Sequence, residues 1–174
     1  MIGRPILFGL ILMSASLPAA YVTSVRLNTS PSMPIGLYRI TPITERLLRG
    51  QVVIACMNDT SIAEMALERR YVGPGPCLGN TEMLLKPVAA IDGDIVSISA
   101  SGITVNDVPI ENTAALSHDP AGRQMPQLPS RKYLVQAGQI WLLASKPSSF
   151  DSRYVGAFQI SSVKGMATPL WVWP

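Results

Sequence analysis

Two side chains in this sequence could together form a nucleophile and its base. Ser32 lies in the Ser- and Pro-rich segment 30–34, and Lys86 lies within the otherwise apolar run 83–91. A serine hydroxyl is a weak nucleophile until a neighbouring base accepts its proton. A lysine surrounded by hydrocarbon loses part of its preference for the charged form and can be that base near neutral pH. The pair therefore predicts the chemistry of a serine hydrolase.

Lys86 differs from the other lysines because apolar residues flank it on both sides. On a β-strand, Leu84, Lys86 and Val88 would lie on one face. Burial of that face would remove water from the amine and lower its pKa. The same pattern also fits a strand lysine that extends its amine to water, and the sequence leaves both readings open.

Other catalytic arrangements have little support. A Ser-His-Asp site needs a histidine, and the one histidine, His118, lies in a polar stretch that predicts an exposed loop. A single histidine also disfavours a zinc site with Cys and His ligands. Asp92 and Asp94 flank Gly93, where turn chemistry explains both carboxylates. We therefore expect no metal and no cofactor.

Short apolar runs separated by Gly and Pro predict a mainly antiparallel β domain. The polar stretch 111–131 is predicted to be a mobile surface loop, and the stretch 145–154 is predicted to be a polar loop. The predicted strands cover residues 35–40, 50–56, 83–91, 94–99, 103–108, 132–136, 139–144 and 158–166, the last of which should close the sheet.

One short helix is predicted, over residues 62–71. Its start is indicated by a capping box in which Ser61 is the N-cap and Glu64 follows three residues later. The helical period places Ile62, Met65 and Ala66 on the buried side.

The N-terminal segment has the composition of a membrane span. Between Arg4 and Arg26 no residue is charged, and at about 1.5 Å per residue this length crosses a hydrocarbon core of about 30 Å. We interpret residues 1–25 as a retained signal anchor and 26–174 as the catalytic domain. A signal peptide cleaved near Ala20 is the alternative. The basic N-terminus favours the cytoplasm, which would place the domain on the opposite side.

The composition fits a membrane-associated protein. Charged residues make up 14% of the chain, against about 25% in average soluble proteins. The net charge of +3 includes no dense block of Lys and Arg, so nucleic-acid binding is not expected.

Cys56 and Cys77 suit an oxidising compartment, in which a disulfide is permitted. A bond between them would stabilise the fold by roughly 3 kcal/mol in the chain-entropy model. Two unpaired thiols in the core are the alternative.

Three segments resemble the type I signal peptidases, and they occur in the same order. Residues 30–34 resemble the nucleophile box, 85–94 the lysine box, and 149–156 a later box of pattern Ser-x-Asp-Ser-Arg-Tyr-x-Gly. Within that group, residues 32–38, with the pattern Ser-Met-Pro-x-Gly-Leu-Tyr, and Cys77 are most similar to the TraF-type conjugal transfer peptidases. The fold implied is an antiparallel, signal-peptidase-like β domain with an N-terminal transmembrane helix.

The resemblance implies catalytic roles for three residues. Ser32 would attack the scissile carbonyl, and the neutral Lys86 amine would accept its proton. The Ser32 backbone N–H and the Ser30 hydroxyl would form the oxyanion hole. Ser30 as a simple turn residue is the alternative.

It also implies supporting roles in the third box. Ser149 would orient the Lys86 amine, although it could equally be a loop cap. Asp151 and Arg153 would form an ion pair that holds their loop against the site, a structural rather than a chemical role.

The implied function is a membrane-anchored serine endopeptidase with a Ser-Lys dyad. It would process an exported precursor, and a conjugative pilin is the favoured candidate. In some members of the family the product is cyclised. Its partners would be that precursor and the bacterial inner membrane, with one transmembrane pass and the catalytic domain in the periplasm. A general type I signal peptidase and a catalytically inert envelope subunit of a transfer apparatus are the alternatives.

Overall fold

β-Strands dominate the computed structural model, which describes residues 24–173. The strands form one sheet of seven and one of four, and each pairing is antiparallel. The mainly antiparallel β fold predicted from the sequence is confirmed. The elements are β1 (Val25–Asn28), β2 (Gly36–Thr41), β3 (Val52–Ala55), α1 (Thr60–Glu68), β4 (Leu84–Ala90), β5 (Ile95–Ser99), β6 (Gly102–Val105), β7 (Val108–Ile110), β8 (Lys132–Leu134), β9 (Gln139–Leu142), α2 (Ser152–Val155), β10 (Phe158–Gln159) and β11 (Val163–Val172).

The signal anchor predicted over residues 1–25 lies almost entirely outside the described residues, as does the alternative cleavage site near Ala20. Within residues 24–173, no helix combines the length and the apolar character needed to cross a bilayer. The first described strand, β1, pairs with β2 at the edge of the larger sheet.

Strand β4 lies inside the seven-stranded sheet, whose order is β1-β2-β11-β3-β4-β9-β10. It pairs with β3 on one side and with β9 on the other. Its side chains alternate between buried and half-buried positions, so Leu84, Lys86 and Val88 share the buried face. The predicted common face of these residues is confirmed, and it carries the lysine into the interior.

The C-terminal strand differs from the prediction. The sequence predicted one strand over 158–166 that closes the sheet, but β10 and β11 are separate, and β11 lies in the sheet interior between β2 and β3. The 3-10 turn Ile160–Ser162 divides them. The second half of β11 was missed because Pro169 cannot donate to the ladder. The register shifts immediately after it, before Trp171.

The smaller sheet has the order β7-β6-β5-β8. The hairpin predicted from 94–99 and 103–108 is present as β5 and β6, but β6 ends at Val105 and β7 turns back beside it. The turn consists of Asn106 and Asp107, both with positive φ. Asn and Asp tolerate this conformation in two-residue hairpin turns, which explains the extra strand.

Helix α1 starts before the predicted position because Asp59, and not Ser61, is its N-cap. The Asp59 carboxylate accepts hydrogen bonds from the N–H groups of Ser61 and Ile62 and from the Ser61 hydroxyl. A carboxylate two residues earlier satisfies the free N–H groups of the first turn, so Ser61 becomes part of the helix.

The main hydrophobic core lies between α1 and strands β3, β4 and β9. Helix α1 buries Ala63 and Ala66, and these small residues face the sheet. Ile62 and Met65, which were predicted to be buried, are half-buried at the flanks of this contact. The other fully buried members include Val53, Ala55, Leu84, Val88, Ile140, Leu142 and Phe150.

The stretch predicted as a surface loop, 111–131, and the predicted polar loop, 145–154, are both partly buried. Asp119 and Met125 in the stretch 111–131 are buried, as are residues 149–154 in the stretch 145–154. Polar composition indicated exposure, but polar groups can be buried when they are hydrogen-bonded to one another.

Cys56 and Cys77 form a disulfide bond across 21 positions of the sequence. Cys56 follows β3 directly, and Cys77 lies in the Gly- and Pro-rich segment 73–77 that leads towards β4. The bond therefore fastens this segment to the sheet.

Replacing both cysteines, as Cys56→Ser with Cys77→Ser, should lower the free energy of unfolding by roughly 3 kcal/mol, because the unfolded chain regains the entropy of the open loop. Urea unfolding of the variant and of the wild type measures the difference. Wild-type protein unfolded in the presence of a reductant is the control and should match the variant. Equal midpoints for the oxidised wild type and the variant would contradict a stabilising bond.

Candidate active site

Ser32 and Lys86 are in direct contact inside the protein. The Lys86 Nζ and Ser32 Oγ atoms are hydrogen-bonded and 2.5 Å apart. Ser32 is 8% exposed and Lys86 is 4% exposed, so water has little access to either group. The serine lies in the loop after β1 and the lysine in the middle of β4, two strands that are not neighbours in the sheet. The fold therefore brings together the two residues that the sequence analysis paired.

Burial lowers the pKa of Lys86 from 10.5 to about 8. The loss of hydration is the largest cause, because an enclosed ammonium cannot be solvated. The negative charges of Asp151 and Glu82 raise the pKa, and the positive charge of Arg153 lowers it. Near pH 8 a substantial fraction of the amine is neutral and can accept a proton from the serine.

The loop that carries the serine is held by Asn28, a residue that no sequence motif singled out. Its side-chain amide donates to the carbonyl oxygens of Ser30, Met33 and Pro34 at 3.0 to 3.2 Å. Its side-chain oxygen accepts from the Ser30 N–H at 3.2 Å. The available signal was an asparagine before a Ser- and Pro-rich segment, since asparagine side chains commonly hydrogen-bond turn backbones.

The other end of this loop is fixed against β2 and β11. The Tyr38 hydroxyl donates to the Pro34 carbonyl oxygen at 2.8 Å. Gly36 starts β2 with φ of +154°, and a Cβ atom there would lie 2.1 Å from the Trp171 carbonyl oxygen. Only glycine permits this approach of the two backbones, so the contact fixes the point at which the loop joins β2.

The Ser30 hydroxyl oxygen lies 2.9 Å from Ser32 Oγ. It therefore borders the position at which an attacked carbonyl would have to sit. The Ser30 hydroxyl is a hydrogen-bond donor beside the nucleophile oxygen, and its role in an oxyanion hole stays a prediction.

Asp151 and Arg153 form a fully buried ion pair close enough to Lys86 to influence its pKa. Arg153 Nε donates to Asp151 Oδ1 at 2.8 Å, and neither side chain is exposed. The guanidinium also donates to the carbonyl oxygens of Ala144 and Asn112, and the carboxylate accepts from the Ala144 N–H. Each charge is paired and further hydrogen-bonded, as burial of an ion pair demands. The pair fastens its loop to the residues after β9.

Ser149 borders the same cavity as Ser32 and Lys86. Its hydroxyl oxygen is buried and has no hydrogen-bond partner among residues 24–173. The contact with the Lys86 amine that the resemblance implied is therefore not formed in this structure. Buried hydroxyls are usually paired, and the orienting role of Ser149 stays a prediction.

Two cavities border Lys86. The smaller, of about 270 Å³, lies between the segments 26–30 and 82–86. The larger, of about 500 Å³, is bordered by the segments 69–72 and 148–150. Lys86 borders both cavities and Ser32 borders the larger one, so a chain that filled the two would pass beside Lys86.

A further network supports the wall of the larger cavity, and the sequence analysis missed it. The Asp119 carboxylate accepts hydrogen bonds from the Tyr71 hydroxyl and from Arg123 Nε, both at 2.7 Å. Burial alone would raise the pKa of Asp119, but the hydrogen bonds from Tyr71 and Arg123 hold it well below its usual range. The neighbouring His118 is exposed, as predicted. Nothing in the sequence indicated that Asp119 and the distant Tyr71 would meet.

Residues 4–173 match the family model described as "Signal peptidase, peptidase S26". The chain belongs to this family. The resemblance that the three sequence boxes indicated is thereby confirmed. All three boxes of this S26 family member contribute to one region of the fold, through Ser32, Lys86 and the buried pair of Asp151 and Arg153.

Relatives within the family carry names connected with conjugal transfer. The chain is 31% identical to the plasmid transfer protein TraF of Escherichia coli, over 89% of this chain and 87% of that protein. It is 32% identical to the probable conjugal transfer protein TraF of Sinorhizobium fredii, over 95% of this chain and 88% of that protein. A solved structure, a signal peptidase I from Enterococcus faecalis, matches with 18% identity and a TM-score of 0.40, covering 71% of this chain and 98% of that one.

The stability of this S26 protein should depend on pH through Lys86. The folded-state pKa of about 8 lies below the unfolded value of about 10.4, so protons bind the unfolded chain more tightly. The free energy of unfolding should fall as the pH drops from about 10.4 to 8, and the loss should then stay constant. Lys86→Met should therefore be more stable than the wild type below pH 8, on the order of 3 kcal/mol, with no such gain above pH 10.5.

Urea unfolding between pH 6 and 10.5 measures this difference. Lys164→Met is the matched control, because Lys164 is exposed and its loss should leave the pH dependence unchanged. If the difference in the free energy of unfolding between Lys86→Met and the wild type does not vary with pH, the Lys86 amine is not desolvated.

Proposed function

We propose that this protein is a serine endopeptidase in which Ser32 is the nucleophile and Lys86 is the general base. The observation that supports this proposal is the 2.5 Å contact between Lys86 Nζ and Ser32 Oγ inside the protein. The lowered pKa of Lys86 supports it independently, because a base must be neutral before it can accept a proton. Membership of the signal peptidase family fits this chemistry.

In the first half of the proposed reaction, Ser32 Oγ attacks the carbonyl carbon of the scissile peptide bond while its proton moves to Lys86 Nζ. The carbonyl oxygen becomes negatively charged, and the Ser32 N–H and the Ser30 hydroxyl donate to it. The C–N bond then breaks, and the protonated Lys86 returns its proton to the leaving amine. An ester between Ser32 and the acyl part of the substrate remains.

In the second half, water or another amine attacks this ester. The neutral Lys86 removes the proton of the attacking group, the ester C–O bond breaks, and Lys86 returns the proton to Ser32 Oγ, which regenerates the hydroxyl. Attack by water completes a hydrolysis, whereas attack by an amine of the same chain would give a cyclic product. We propose that Ser149 orients the Lys86 amine during this cycle; its hydroxyl borders the cavity that Lys86 also borders.

We propose that the substrate binds as an extended polypeptide along the smaller cavity. This cavity lies between an edge strand, β1, and the beginning of β4. Residues 84–86 of β4 face β3 on one side, while the pairing with β9 begins only at Val88. Such strand edges recognise extended chains through main-chain hydrogen bonds, with pockets that select side chains.

We further propose that the substrate is an exported precursor, with a conjugative pilin as the favoured candidate. The names of the E. coli and S. fredii relatives, which refer to plasmid and conjugal transfer, support this assignment. Residues 1–25 would anchor the domain 26–174 to the bacterial inner membrane, with the domain in the periplasm. The disulfide between Cys56 and Cys77 fits that oxidising compartment.

Ser32→Ala and Lys86→Ala should each reduce processing of a co-expressed pilin precursor on the order of 10⁴-fold or more, because removing either member of a nucleophile and base pair removes the whole pathway. Mass spectrometry of the precursor measures both the cleavage and any cyclisation. Lys132→Ala is the matched control, since this lysine is exposed and should be dispensable. Normal processing by a folded Ser32→Ala or Lys86→Ala variant would refute the proposal.

A further inference from the structure

Arg70 has an unusual backbone conformation. It is the one residue with positive φ among 24–173 that is neither glycine, asparagine nor aspartate, and its φ is +60°. Left-handed backbone is unfavourable for a residue with a long side chain, whereas Gly and Asn adopt it readily. The other four non-glycine residues with positive φ are Asn80, Asn106, Asp107 and Asn112.

The end of helix α1 imposes this conformation. The N–H of Arg70 donates to the Leu67 carbonyl oxygen at 3.0 Å, and the N–H of Tyr71 donates to the Ala66 carbonyl oxygen at 2.8 Å. Bonds of this kind terminate helices at a left-handed residue, and glycine is the common choice there, with asparagine second. The helix ending therefore does not explain an arginine at this position. Its unfavourable backbone conformation points to a functional role for the side chain.

The guanidinium of Arg70 is also available for binding. It is exposed and makes no hydrogen bond or ion pair with any of the residues 24–173. Its two cationic neighbours are engaged, because Arg69 Nη1 donates to the Gln124 carbonyl oxygen and Arg123 Nε donates to Asp119. Of these three arginines, Arg70 is therefore the one whose guanidinium is available to bind a ligand.

Arg70 borders the larger cavity, which Ser32 and Lys86 also border. Two carboxylates border this cavity as well, and both are occupied. Asp119 accepts from Tyr71 and Arg123, as described above. Glu82 accepts from the Gly73 N–H at 2.7 Å and forms no ion pair with Arg70. Neither carboxylate neutralises the free guanidinium.

We propose that Arg70 is a specificity-determining residue that binds a carboxylate of the substrate polypeptide. The carboxylate would belong to the part of the chain that occupies the larger cavity, across the scissile bond from the part in the smaller cavity. This inference rests on the proposed function for the nature of the ligand, a polypeptide that passes Ser32. A guanidinium pairs with a carboxylate through two parallel hydrogen bonds, so one arginine suffices to select an acidic group.

The test measures peptide binding to the full chain in a Ser32→Ala background, in which no bond is cut. The probes are acetylated and amidated alanine octapeptides with one Glu or one Gln, placed at each of the eight positions in turn. At one or more positions the Glu peptide should bind about fivefold more tightly than its Gln counterpart. Arg70→Gln should abolish the preference, and Arg70→Glu should transfer it to the peptide with Lys at the same position.

Arg46→Gln is the matched control, because Arg46 is exposed and borders neither cavity. It removes the same charge and should leave the preference intact. Arg70→Asn should lose the preference while its thermal midpoint stays equal or rises, since asparagine suits the left-handed backbone. A purely structural arginine would instead show a lower midpoint and an unchanged Glu preference, and that result would overturn the proposal.

Equal binding of the Glu and Gln peptides at every position would also overturn it, including the case in which neither peptide binds measurably. This outcome is distinct from failure of the proposed function. That failure would appear as normal precursor processing by Ser32→Ala or Lys86→Ala, whatever the peptide preference of the inactivated protein.

Discussion

The enclosure of one amine, that of Lys86, in an apolar interior is the constraint on which the rest of the site depends. An exposed lysine is almost fully protonated near neutral pH and cannot accept a proton from Ser32. Burial on the inner face of β4 lowers its pKa to about 8. This burial opposes stability, because the folded state must hold a group that prefers water. The core between α1 and the larger sheet offsets that cost and makes the arrangement tolerable.

The charges around Lys86 are arranged so that burial remains the dominant influence. Asp151 alone would stabilise the ammonium and raise its pKa, which would weaken it as a base. Arg153 lies against Asp151 and acts in the opposite direction on Lys86. The pair fastens the loop after β9 to the site, and Arg153 offsets part of the effect of Asp151 on the amine. Loss of hydration remains the largest influence, so the pKa of Lys86 stays lowered beside a strongly polar structural element.

Much of the site was predictable from the sequence, because its features are local. The alternation of Leu84, Lys86 and Val88 indicated one strand face, and the three boxes indicated the family. The features that were missed depend on contacts between distant parts of the chain. Asp119 meets Tyr71 across 48 positions, and β11 inserts between β2 and β3 although the sequence indicated a closing strand. The helix start was misplaced for a local reason, since Asp59 competes with Ser61 for the same N–H groups.

Titration of Lys86 itself shows whether its amine is desolvated in the folded protein. In protein labelled with ¹⁵N-lysine, the Nζ resonance of Lys86 is identified by its absence from Lys86→Met, and its shift is followed between pH 6 and 11. A desolvated Lys86 should titrate with a midpoint of about 8, and the exposed lysines near their ordinary value of about 10.4. A Lys86 midpoint that coincides with those of the exposed lysines would contradict the account.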